Sequence, residues 1–177
     1  MNMKILLTST GFTNPNIKNK FINLLNKNVK DTKVLFVITA AQDPDAVRIL
    51  SACLDDLTEC GIIDENIKIY DMHKLLIKEE MNKYDAIYVC GGDTEYLVDR
   101  MNEINIKPLI QEYLKNGGIY IGVSAGTIAT KSLNLIENEI DVHRENGSEN
   151  KEITTEPIFL TDNQALLITD NEKYIFE

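Results

Sequence analysis

The 177-residue chain is short of several things, and each shortage removes a class of function. Positive charge is scarce: 18 Lys and Arg stand against 28 Asp and Glu, a formal net charge of −10. A nucleic-acid partner needs a cationic face to neutralise phosphates, so none is expected. The densest basic stretch, with Lys18, Lys20, Lys27, Lys30 and Lys33, reads as solvated helix surface. No run approaches the ~18 apolar residues of a membrane span, and no membrane partner is expected. The opening "MNMKILLTSTGF" lacks the apolar core of a signal peptide and reads as a first strand. Cysteine is sparse and odd in number, Cys53, Cys60 and Cys90, as in a reducing cytoplasm. Cys53 and Cys60 share a helix face and read as thiols rather than a bridge. With only two histidines, no His/Cys spacing resembles a zinc site; neither a metal nor an organic cofactor is expected. Repeats, low-complexity segments and linkers are absent, so residues 1–177 read as one domain.

What is present is an alternation. "MKILLTST", "KVLFVITA", "NIKIYDM", "YDAIYVCGG" and "IYIGVSAG" are apolar runs of strand length. Between them lie stretches with helical spacing, such as Ile17, Phe21 and Leu24, or Val47, Leu50, Leu54 and Leu57. Strands alternating with helices predict an α/β three-layer sandwich, a mostly parallel sheet with helices on both faces. The tail "EPIFLTDNQALLITDNEKYIF" breaks the alternation with short β runs and Asp-Asn turns, predicting a C-terminal β meander.

In open parallel sheets, sites form beyond the carboxyl ends of the strands. Two such ends are unusual here. "GVSAG" after the fifth strand has the Gly-x-Ser-x-Gly spacing of a nucleophile elbow, in which small neighbours let a strained serine project from a tight turn. Ser124 is then the candidate nucleophile, and the N–H of Ala125 a candidate oxyanion donor. "CGGDTEY" after the fourth strand offers Gly91 and Gly92, one of which would give the second donor, with Asp93 and Thr94 completing a substrate loop. Each loop alone is also what any tight turn needs; both together at strand ends favour a site.

A serine needs a base. His73 precedes an apolar helix start, where a structural role suffices. His143 lies in the polar stretch "EIDVHREN", free to fold over the elbow, and is preferred. Asp141, Glu137, Glu139 and Glu145 are all candidates for the orienting acid. An α/β-hydrolase fits poorly, because 53 residues after Ser124 leave little room for its later strands and loops.

"KILLTSTGF", "VLFVITAA", "YVCGGDT", "GGIYIGVSAGTI" and "LTDNQALLI" occur in an order that resembles the peptidase E family of serine peptidases. Alpha-aspartyl dipeptidase and cyanophycinase belong to it, on a class I glutamine amidotransferase-like fold. The resemblance implies that Ser124 attacks a peptide carbonyl, that His143 is the base, and that Gly92 and Ala125 hold the oxyanion. It also implies a small peptide substrate, such as an Asp-containing dipeptide, and a cytoplasmic enzyme; a homodimer is admitted as an assembly. Two departures stand out. Asp93 occupies a place where the family more usually has Asn, and the segment from Ser124 to His143 is shortened where the family's acid resides. Asp141 is the nearest replacement; otherwise the acid comes from elsewhere or the site is a dyad. A catalytically degenerate member that binds a peptide or small molecule is the alternative, and an amidotransferase-like activity is disfavoured by serine at the elbow.

Overall fold

Side chains along a strand point alternately to opposite faces, and here both faces are apolar, so the central strands need helices above and below. A computed structural model describes residues 3–154 and 157–177; Met1, Asn2, Thr155 and Glu156, including the first residue of the quoted tail, lie outside the described residues. The elements are β1 (Lys4–Thr8), α1 (Pro15–Leu24), β2 (Val34–Val37), α2 (Pro44–Glu59), β3 (Ile67–Tyr70), α3 (Lys78–Met81) and β4 (Ala86–Val89). They continue as α4 (Thr94–Glu103), α5 (Lys107–Lys115), β5 (Ile119–Val123), α6 (Ala125–Ile128), β6 (Ile140–Asp141), β7 (Ile158–Phe159), β8 (Ala165–Thr169) and β9 (Lys173–Phe176).

Seven strands form one sheet in the order β3-β2-β4-β5-β1-β8-β9. The first five are parallel, and β8 and β9 join antiparallel beside β1. The alternation of side chains divides the interior in two. Leu6, Tyr88 and Ile121 pack with Phe21 of α1 and Leu57 of α2 on one face. Ile5, Leu7, Val89 and Tyr120 pack with Leu97 of α4 and Leu114 of α5 on the other. The predicted sandwich is therefore present. Helix starts follow capping chemistry: the side chains of Asn14, Asp43 and Asp93 accept main-chain N–H groups at the starts of α1, α2 and α4.

One part of the tail differs from a simple meander. β8 and β9 form the expected hairpin, but β7 leaves it and pairs in parallel with β6. The Ile158 N–H donates to Glu139 O at 2.8 Å and the Leu160 N–H to Asp141 O at 2.9 Å. This small second sheet carries the polar stretch around His143 back toward the ends of β1 and β5. Among the described residues, no helix is long and apolar enough to cross a membrane.

Candidate active site

The turn from β5 into α6 explains the glycines around Ser124. A Cβ on Gly122 would lie 2.7 Å from Gly126 O, and one on Gly126 would lie 2.3 Å from Val89 O. Neither position has room for a side chain, because the α6 turn rests directly on β5 and β4 main chain. Ser124 itself has φ 47 and ψ −105, a conformation that non-glycine residues adopt at a cost of about 1–3 kcal/mol. Buried hydrogen bonds hold it there. The Ser124 N–H donates to Thr8 O at 3.0 Å, and Tyr120 Oη donates to Gly126 O at 2.7 Å. Thr127 Oγ1 accepts the Thr8 N–H at 3.1 Å and lies 2.8 Å from Thr8 O and from Gly122 O. The serine side chain nonetheless reaches partly open surface.

His143, the histidine preferred from sequence, lies beside Ser124. His143 Nε2 lies 3.0 Å from Ser124 Oγ. On its other side, His143 Nδ1 lies 2.6 Å from Asp162 Oδ1. With Nδ1–H donating to the carboxylate, Nε2 is left as an acceptor for the serine hydroxyl, which is the tautomer a general base requires. The acid at the imidazole is therefore Asp162 and not Asp141. Asp141 Oδ2 instead accepts from Arg144 Nη1 at 3.1 Å. The reason is local. Residues two apart share a face only while the strand continues, and His143 has φ 57, so the chain turns out of extended conformation and breaks the alternation.

The "GGDT" loop lies against the serine. A Cβ built on Gly91 would be 3.3 Å from Ser124 Cβ. Gly92 has φ +133, and its missing Cβ would meet Ala40 O at 2.1 Å, so glycine is required there on both counts. Among the described residues, no acceptor engages the N–H of Gly92 or that of Ala125. Asp93 caps α4, accepting the Tyr96 N–H at 2.9 Å, and Thr94 begins that helix. Asn and Asp cap almost equally well, so the departure from Asn leaves this loop intact.

The other candidates stand apart. His73 is exposed beside Asp71 after β3, at a sheet edge three strands from β5. The three cysteines are free thiols; Cys53 and Cys90 are buried, and burial pushes the Cys60 thiol up to about 11. A hollow of about 400 Å³, lined by Lys4, Asp85, Tyr113 and Gly118, opens where β1 and β5 begin, opposite the serine. Among the described residues, no cluster of three or more His, Cys, Asp or Glu side chains is arranged to hold a metal ion.

Sequence reasoning missed Asp162 and Thr127. Asp162 lies in the quoted "LTDNQALLI", but its sequence distance from His143 gave no sign that the two would meet.

The profile of peptidase family S51 matches residues 5–146. An uncharacterized peptidase of Listeria monocytogenes serovar 1/2a is 30% identical over 103 residues, covering 58% of this chain and 50% of that protein. An uncharacterized peptidase of Pasteurella multocida is 24% identical over 101 residues, covering 57% and 49%. The chain thus spans about half the length of the curated relatives it matches. In fold it is similar to the crystal structure of a candidate peptidase E protein from Listeria monocytogenes EGD-e, with TM-score 0.79 and 22% identity. That likeness covers 100% of this chain and 99% of the other. A peptidase from an acI-B1 Actinobacterium is similar at TM-score 0.64 and 17% identity, covering 94% and 84%.

Proposed function

Because this chain belongs to peptidase family S51, we propose that it is a serine peptidase that cleaves small peptides through an acyl-enzyme on Ser124. The observation that carries the reading is the unbroken relay from Ser124 Oγ through both ring nitrogens of His143 to Asp162, at 3.0 and 2.6 Å. As Ser124 Oγ attacks the peptide carbonyl carbon, His143 Nε2 takes its proton. The Asp162 carboxylate holds the ring and stabilises the imidazolium. Negative charge growing on the carbonyl oxygen meets the N–H groups of Gly92 and Ala125. Collapse of the intermediate breaks the C–N bond, and the imidazolium gives its proton to the departing amine. Water, activated by the same ring, then releases the acid and restores Ser124.

The relay lies in the open: the side chains of His143 and Asp162 are 47% and 65% exposed. Such a surface suits short peptides whose ends reach the serine without threading a tunnel, and an Asp-containing dipeptide is the substrate expected from the family resemblance. A pure binding protein on this scaffold has no use for an imidazole acceptor 3.0 Å from a strained alcohol. Free thiols fit a reducing, cytoplasmic setting.

The test is a fluorophosphonate probe with peptide mapping, alongside a dipeptide panel. The expected result is modification of Ser124 in the wild type, with Ser124→Ala losing both labelling and hydrolysis. Folded wild-type protein that takes up no probe and cleaves no dipeptide would overturn the proposal.

A further inference from the structure

We infer that the tripeptide Thr8–Ser9–Thr10, where β1 ends, sets the spacing of the three site residues, with Ser9 and Thr10 as positioning residues for His143 and Asp162. The inference rests on the assignment of Ser124, His143 and Asp162 made above and adds the part of the chain that aligns them. Three consecutive residues each hold the main chain of one member, in the order of the relay. Thr8 O accepts the Ser124 N–H at 3.0 Å. Ser9 Oγ accepts the His143 N–H at 3.3 Å. Thr10 Oγ1 donates to Asp162 O at 2.8 Å.

The residue types match these duties. Ser9 is 1% exposed and works in both directions, since its hydroxyl also donates to Leu160 O at 3.2 Å. Leu160 O accepts the Arg144 N–H at 3.0 Å as well. The N–H groups on both sides of the His143 side chain are thereby fixed to the β1 end and to the strand leading to Asp162. This matters because His143 has φ 57, a conformation that needs outside support in a non-glycine residue. The exposed carboxylate gives little of that support, because solvent screens its pull on the ring. Thr10 Oγ1 also lies 3.0 Å from Thr13 Oγ1, and the Gly11 N–H donates to Thr8 Oγ1 at 2.9 Å, so the turn beyond β1 braces itself.

The experiment compares wild type with Ser9→Ala, Thr10→Val and Thr10→Ser by two independent readouts. One is fluorophosphonate inactivation resolved into a maximal rate and a half-saturating concentration. The other is the NMR spectrum of the His143 imidazole, including its Nδ1 proton, which has only His73 as a competitor for assignment. Ser9→Ala and Thr10→Val are expected to lower the maximal rate about 10- to 100-fold, the scale of a misplaced reacting group. The half-saturating concentration should hold, and the imidazole signals should shift or broaden. Thr10→Ser, which retains the donor, should restore both. Folded Ser9→Ala and Thr10→Val proteins with wild-type rates and imidazole spectra would overturn the inference. So would a Thr10→Ser protein as impaired as Thr10→Val. If the wild type takes no probe, the peptidase reading fails, and the imidazole spectra alone decide this one: changed in both variants, it stands; unchanged, it falls.

Discussion

The two halves of the site are built from different materials. Ser124 sits on main chain packed against main chain: Gly122 and Gly126 have no room for a Cβ, and Thr8, Tyr120 and Thr127 are fully buried beneath the turn. His143 and Asp162 stand in solvent on two loops, joined to the body through side-chain hydroxyls. Even with the ring charged, an exposed pair of this kind would contribute ~0–1 kcal/mol, whereas one well-made hydrogen bond contributes about 1 kcal/mol. Ser124 is thus fixed by packing. Its partners are fixed by a few hydrogen bonds near the surface. Damage to the first half should appear as lost folding, and damage to the second as lost chemistry in a folded protein.

Gly126→Ala breaks the packed half and carries the largest stability cost. Its Cβ would meet the Val89 carbonyl at 2.3 Å, and forcing that contact should cost about 3 kcal/mol. Urea unfolding should show a lower midpoint with an unchanged slope, and Ser124 labelling should vanish with it. A wild-type midpoint would mean that the elbow is looser than described.

Gly92→Ala tests the boundary between the halves. The substitution meets both an unfavourable φ and the Ala40 carbonyl, so the loop must shift and carry its N–H away from the serine. Labelling of Ser124 should slow about 100-fold, the usual effect of one lost oxyanion donor. Stability should fall less than in Gly126→Ala.

A smaller effect comes from behind the β1 turn. Asp56 Oδ2 accepts the Phe12 N–H at 2.8 Å and the Tyr88 hydroxyl at 2.6 Å. Burial nevertheless raises its carboxyl above the ordinary value, and the two hydrogen bonds only partly offset this. Because the folded value is raised, the stability from this proton is complete below the ordinary carboxylate range and is lost as pH climbs through the folded value. Asp56→Asn keeps an acceptor and removes the charge. Its stability relative to wild type should therefore be better at pH 8 than at pH 4, by urea titration at both. The opposite trend would contradict the assigned cause.

The same contrast explains what the sequence made legible. The packed half writes itself locally: β5 is a continuous apolar run, and the glycines flanking Ser124 are forced by contacts within the turn and with the neighbouring strand. The start of α4 has a local cause of the same kind, because Asp93 caps that helix from the adjoining position. The exposed half depends on distant pairings. Asp141 looked like the acid because it is near His143 in sequence, yet the left-handed turn at His143 sends the two side chains apart. Asp162 comes into reach only because β7 leaves the expected meander to pair with β6. Ser9 and Thr10 carried no signal at all, since a hydroxyl in a loop acquires its meaning from what folds onto it.

The most direct measurement is the rate constant for fluorophosphonate labelling of Ser124 in folded Asp162→Asn and Asp141→Asn proteins, side by side with wild type. A fall of about 10³- to 10⁴-fold is expected for Asp162→Asn, as when a triad loses its acid. For Asp141→Asn the rate is expected within about twofold of wild type, since that carboxylate engages Arg144 and not the ring. A wild-type rate in Asp162→Asn, or a collapse confined to Asp141→Asn, would contradict Asp162 as the acid.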